Sequence, residues 1–213
     1  MNLFTHEQEY RTEKLMKKLA TTPLTVCGCG AIGSNLIDNL SRQGFKNITV
    51  IDMDRIESHN IGTQIWEKRE AGAFKTQRMK NRVYAINGSS LNAISTKIIE
   101  ENIRRHIKKG HIIIDSFDNS YSRGLIYNYC KNENINCLHA GLYQDYAEVI
   151  WNENYIVPKD PNGLDICEYP LARNIVMLSV ILTSEILIRF IETNKKYNYI
   201  VTLKDLKIKE LEK

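Results

Sequence analysis

The sequence predicts an α/β fold: a mostly parallel sheet with helices on both faces, followed by antiparallel strands toward the C-terminal end. Three observations carry this. Short runs rich in Val and Ile alternate with segments of helical period up to about residue 140. A Gly-x-Gly-x-x-Gly turn joins the first apolar run to the first strongly periodic helix that follows it. After Ala140 the alternation stops, and two longer runs, residues 146–157 and 199–208, flank a helix over 172–192. The chain has 213 residues, 43% hydrophobic and 25% charged, which suits one well-buried domain. No repeat, low-complexity tract or linker divides it.

The elements follow in order. Residues 6–19 read as one helix, with Tyr10, Leu15 and Leu19 separated by charges. Thr21, Thr22 and Pro23 break it. Leu24, Thr25, Val26 and Cys27 then form an apolar run suited to a buried parallel strand. Ile32, Leu36, Ile37 and Leu40 give a helix over 32–42, closed by Gly44, and residues 48–51 form the second strand. Residues 67–85 read as a helix rich in Lys and Arg. Strands are predicted over 93–98, 111–115 and 136–139, with a helix over 121–132 between the last two. Strand–helix alternation implies right-handed crossovers, hence a Rossmann-like sheet.

Composition narrows the function classes. Lys and Arg number 29 against 25 Asp and Glu, a net charge of +4, which is compatible with a phosphate-rich ligand but gives no case for nucleic acid. The five cysteines (Cys27, Cys29, Cys130, Cys137 and Cys167) show no disulfide framework and no C-x-x-C pair, so a reducing compartment is expected and a structural zinc is not. The first 20 residues are charged and lack a secretory apolar core. The most apolar stretch, residues 174–191, is interrupted by Ser179, Thr183, Ser184, Glu185 and Arg189, as in a buried or interface helix rather than a membrane span. A cytoplasmic protein without membrane partners is expected.

The glycine turn has a specific physical reading. Gly28 permits a tight strand-to-helix turn, Gly30 lets backbone approach a phosphate, and Gly33 allows close packing of helix on strand. Ala31 and Ile32 lie at the helix start, whose free N–H groups attract anions. Asp52 closes the second strand about 20 residues beyond Gly33, where an acid can accept hydrogen bonds from ribose hydroxyls. This predicts nucleotide binding and leaves NAD(P), FAD, S-adenosylmethionine and ATP open.

The residues after Asp52 narrow the choice. Asp52-Met53-Asp54-Arg55-Ile56-Glu57-Ser58-His59-Asn60-Ile61-Gly62-Thr63-Gln64 resembles the D-x-D-x-[VI]-x-x-x-N-[LI]-x-R-Q signature of the ThiF/MoeB family, the bacterial relatives of ubiquitin-activating enzymes. Gly72-Ala73-Phe74-Lys75 is similar to that family's G-x-x-K, and Asp115-Ser116-Phe117-Asp118-Asn119 to its D-x-x-D-N. Arg123 stands where the family often has an arginine. The resemblance spans roughly residues 6 to 140.

What the resemblance implies is a homodimeric adenylyltransferase binding ATP and Mg2+. Such an enzyme adenylates the C-terminal carboxylate of a small ubiquitin-like or sulfur-carrier protein, or of a short peptide, and releases pyrophosphate. By the same resemblance Asp52 holds the ribose, Asn60 and Lys75 contact the phosphates, and Asp118 binds Mg2+. Asp54, Gln64 and the glycine loop complete the ATP contacts. The chemistry is coherent, because attack of a carboxylate on the α-phosphate needs cations and a bridging metal near the phosphate oxygens. Structural readings stand beside two of these: Lys75 as an exposed helix lysine, Asp118 as an N-cap.

Two positions depart from the pattern. Thr63 replaces the arginine of the R-Q pair, so a phosphate contact is missing or supplied elsewhere, with Arg69 and Arg78 as candidates. The N-terminal Glu9-Tyr10-Arg11-Thr12-Glu13 replaces R-Y-x-R-Q, leaving Arg11 either as the arginine that reaches the partner's ATP or as a surface charge. Cys167 is the candidate thiol for acyl transfer, but Asp165 and Glu168 beside it disfavour a thiolate, and an unreactive cysteine is the preferred reading. His139 reads as a structural histidine at a strand end. The competing functions are an NAD(P)-dependent oxidoreductase, which leaves Asn60, Lys75 and Asp118 without a role, and a non-catalytic ThiF-like dimer partner or binding module.

Overall fold

The computed structural model describes residues 3–160 and 170–211. Strands β1 (Leu24–Cys27), β2 (Ile48–Ile51), β3 (Asn92–Ile94), β4 (Ile112–Asp115), β5 (Cys137–Tyr143), β6 (Tyr146–Trp151), β7 (Tyr199–Thr202) and β8 (Lys207–Glu210) form one sheet in the order β3-β2-β1-β4-β5-β6-β7-β8. Pairing is parallel from β3 through β5 and antiparallel from β5 to β8. The predicted fold class is the observed one. The strand order reverses at β1, which lies between β2 and β4; that switch point is where open α/β sheets place ligands, beyond the carboxyl ends of the strands.

Period-two alternation assigns the two faces. Val26, Val50, Ile114 and Leu138 pack under α3 (Ala31–Arg42), α4 (Lys75–Asn87) and α7 (Arg173–Thr193). Cys27, Ile51, Ile113 and Cys137 point the other way, onto α5 (Glu100–His106) and α6 (Ser120–Asn132). Burial of each Val or Ile side chain contributes about 1.5–3 kcal/mol before ordering costs. Helix α7 is long and apolar enough to cross a membrane, yet Ile175, Val176, Val180, Leu187 and Phe190 are buried and it packs on α3, β5 and β6, as a core helix does.

Several boundaries differ from the sequence expectation, each for a local reason. The helix over 6–19 is two helices, α1 (Thr5–Arg11) and α2 (Glu13–Thr21), broken at Thr12 with φ 74°. The break lets α2 bury Leu15, Met16 and Leu19 while α1 stays peripheral. The helix over 67–85 starts only at Lys75, because Gly72 at φ 87° turns the chain after a 3-10 turn at Lys68–Glu70. The third strand is a three-residue edge rather than 93–98. Helix α5 has a single buried residue, Ile103, too little periodicity to announce it. Residues 199–208 are not one strand: they cover β7, a turn with Leu206 at φ 52°, and the first residues of β8, a hairpin that no Gly or Pro marks. Strand β6 ends at Trp151, after which Asn152 and Tyr155 turn inward and are buried.

Candidate nucleotide site

The glycine turn sits at the switch point, and its three glycines have different structural roles. Gly28 has φ 96°, and a Cβ there would lie 2.9 Å from the Ser116 carbonyl oxygen. A Cβ on Gly33 would meet the Gly28 carbonyl oxygen at 2.1 Å, so helix and strand could not approach as they do. Gly30 has nothing within 4 Å of a Cβ position, the open approach that a phosphate oxygen requires. No side chain caps α3, whose first residues Ala31, Ile32 and Gly33 present their N–H groups at that opening. Ser116 ties β4 to the turn, its hydroxyl lying 2.9 Å from the Cys27 carbonyl and 3.3 Å from that of Gly28.

Asp52 is locked to the same turn. Its Oδ2 accepts from the Cys29 N–H at 2.6 Å and its Oδ1 from the Asp54 N–H at 2.7 Å. Burial pushes its carboxyl pKa up, while Lys75 and the two N–H donors pull it back. A carboxylate has about four lone-pair sites, so two backbone bonds leave capacity for ribose hydroxyls.

Lys75 is not an exposed helix lysine: the residue is only 6% exposed, and its Nζ lies 3.0 Å from Asp54 Oδ2. A short antiparallel pairing fixes this register. Ile56 N–H donates to the Ala73 carbonyl at 2.9 Å, and Lys75 N–H to that of Asp54 at 3.0 Å. The signature after β2 and the G-x-x-K segment are therefore one structural unit, with the ammonium near Asp52 and Cys29.

Asn60 is buried in the 3-10 turn Ser58–Gly62, where its Oδ1 accepts from Glu57 N–H at 3.0 Å. Gln64 is held differently. Its Oε1 accepts from Trp66 Nε1 at 2.6 Å, which spends that oxygen on packing. Neither candidate for the missing arginine is free, since Arg69 pairs with Glu67 at 2.7 Å and Arg78 with Glu70 at 2.8 Å. The cation lying against position 63 is instead Arg173, whose Nη1 donates to the Thr63 carbonyl at 3.1 Å. Sequence reasoning missed it, because 110 residues separate the two and no motif surrounds Arg173.

Asp118 is exposed beyond the carboxyl end of β4, and among the described residues its carboxylate accepts from Asn119 Nδ2 at 3.2 Å. The N-cap of α6 is Asn119, which accepts from Ser122 N–H at 2.9 Å, so the capping reading of Asp118 is corrected. Among the described residues no trio of His, Cys, Asp or Glu could cage a metal. A single hard carboxylate fits Mg2+, which is commonly held by one or two carboxylates, substrate phosphates and water.

Arg11 is held within its own chain, 2.7 Å from Glu7 and 2.8 Å from Glu185, so two carboxylates already offset its charge. Cys167 lies outside the described residues. Cys27, Cys29, Cys130 and Cys137 are buried, and burial raises the thiols of Cys27, Cys29 and Cys137 well above the ordinary range. His139 is structural, as expected: its Nδ1 lies 2.8 Å from Asp115 Oδ2 and its Nε2 lies 2.7 Å from Asn152 Oδ1.

Comparison with known proteins decides the family. A model of the ThiF family matches residues 6–162. The chain belongs to the ThiF family. One relative in this family is the tRNA threonylcarbamoyladenosine dehydratase of Haemophilus influenzae, 32% identical over 133 residues, or 61% of this chain and 51% of that protein. Another is the SAMP-activating enzyme E1 of Haloferax volcanii, 23% identical over 129 residues, or 60% of this chain and 48% of that protein. The chain thus spans about half the length of these curated relatives. The ThiF fold is matched over nearly the whole chain by the crystal structure of E. coli MccB with ATP: TM-score 0.83 and 19% identity, covering 99% of this chain and 71% of MccB.

Proposed function

We propose that the chain is an ATP-dependent adenylyltransferase that activates a carboxylate, the C-terminal one of a small ubiquitin-like or sulfur-carrier protein or of a short peptide. The observation that carries this reading is the buried Lys75, registered through Asp54 to the same edge as the Gly30 opening and Asp52. The diphosphate of a nicotinamide cofactor bears a fixed charge that a helix N-terminus already meets, whereas adenylyl transfer develops further charge on the departing pyrophosphate, which a positioned ammonium offsets. In the proposed step a substrate carboxylate oxygen bonds to the α-phosphorus, the bond to the bridging oxygen breaks, and pyrophosphate leaves with that electron pair. Asp52 orients the ribose, the α3 N-terminus and Asn60 hold phosphate oxygens, and Lys75 offsets their charge. Mg2+, held by Asp118, would neutralise phosphate oxygens.

The acceptor class draws support from relatives whose names are those of ubiquitin-like activating enzymes, and from MccB, whose structures include complexes with MccA. A second reading is favoured by the 32% identity to the tRNA dehydratase: the activated carboxylate would then belong to a modified tRNA nucleoside. Pyrophosphate release measured with a β-grasp protein ending in Gly-Gly, a short peptide and tRNA separates the two. Asp118→Ala should slow release at least ~100-fold, as loss of a charge-stabilising group does. Because Asp118 is exposed, its thermal stability without ligand should stay within about 0.5 kcal/mol of wild type. A variant as fast as wild type would remove Asp118 from the reaction.

A further inference from the structure

We propose that Arg173, at the start of α7, is the cation that receives the outer phosphates of the triphosphate in place of the arginine absent at position 63; this rests on the ATP reading above. The geometry is specific. Nη1 donates to the carbonyls of Thr63 at 3.1 Å and Gln64 at 3.3 Å, and Nη2 to Asn35 Oδ1 at 3.3 Å. All three acceptors are neutral, and among the described residues no carboxylate pairs with this guanidinium, unlike Arg11, Arg69, Arg78 and Arg82. A guanidinium carries five N–H donors, so these contacts orient the fork without filling it or offsetting its charge.

Asn35 sets the position. Its Nδ2 donates to the Ala31 carbonyl at 2.7 Å and to the Thr63 carbonyl at 2.9 Å, so one side chain ties the first turn of α3, residue 63 and Arg173 together. A helical turn rises about 5.4 Å, which places the guanidinium beside the turn whose N-terminus faces the Gly30 opening. The residue is exposed and borders an open cleft of about 330 Å³, so the charge is accessible. Asp38, the carboxylate of that cleft, is already engaged by Arg42 at 2.7 Å and Arg82 at 2.9 Å and does not oppose an anion there.

A guanidinium that merely tied α7 to residues 63–64 would leave nucleotide preference unchanged. The test is therefore the ratio of Mg-ATP to AMP affinity, by calorimetry, in wild type, Arg173→Ala, Arg173→Lys and the double variant Thr63→Arg/Arg173→Ala, each checked for folding by thermal melting. Arg173→Ala should weaken Mg-ATP about tenfold or more and AMP less than about twofold, in line with loss of one charge-assisted phosphate contact. Arg173→Lys should retain part of the ratio, and Thr63→Arg should restore it. Equal weakening of both nucleotides, or an unchanged ratio, overturns the assignment while leaving the ATP reading intact. A wild type that binds neither nucleotide overturns both.

Discussion

Arg123→Ala should destabilise the fold by about 3–5 kcal/mol at neutral pH, the cost of leaving a buried charge without its partner. Arg123 is buried, donating from Nη1 to the Tyr155 hydroxyl at 2.9 Å and from Nη2 to the Ala140 carbonyl at 2.9 Å, with Asp115 Oδ2 at 3.7 Å. His139 completes the cluster, bonded to Asp115 and stacked on Tyr155 with ring centroids 3.7 Å apart. Burial alone would raise the Asp115 carboxyl pKa; Arg123 and the His139 bond outweigh it and hold the group below the ordinary range. A carboxyl depressed in the folded state adds stability above its unfolded pKa of about 3.9 and loses it as pH falls through the folded value. The gap between wild type and Arg123→Ala should therefore narrow in acid, which urea denaturation at pH 7 and near pH 3 reads. A variant within about 1 kcal/mol of wild type at pH 7 would mean that the pair is not what holds β4, β5 and the 152–155 segment together. Arg123, matched to the family by its position in the sequence, is thus a structural residue beneath the site.

The glycine turn gives the second large effect, and a contrast within it. Gly33→Ala places a Cβ 2.1 Å from a backbone oxygen, which cannot yield as a flexible side chain can. The turn must move, at a cost of about 1–3 kcal/mol or more, and nucleotide affinity should be lost with it. Gly30→Ala meets nothing within 4 Å, so its melting temperature should match wild type while Mg-ATP binding falls. Thermal melting and calorimetry on the same samples distinguish these outcomes. A Gly30→Ala protein that binds Mg-ATP as wild type does would place the phosphates elsewhere.

The sheet was legible because its inner strands are short, apolar and bounded by glycines or charges, and because the turn after β1 demands glycine at Gly28 and Gly33. The link from Asp52 through Asp54 to Lys75 was legible only as separate motifs; that a small antiparallel pairing joins them is a tertiary fact. What stayed hidden has no local signal. Thr12 and Leu206 take positive φ without glycine, the Asp115–His139–Arg123 cluster assembles from three elements, and Arg173 reaches residue 63 across the fold.

The nucleotide that occupies the glycine turn decides between adenylyl transfer and hydride transfer. Calorimetric titration of the wild type and of Lys75→Ala with Mg-ATP, ATP in EDTA, and NAD+ identifies that nucleotide most directly. The expected result is saturable binding of Mg-ATP to the wild type, weaker binding in EDTA, a loss of at least about tenfold in Lys75→Ala from the missing charge-assisted contact, and no binding of NAD+. Tight binding of NAD+ with none of Mg-ATP would contradict it.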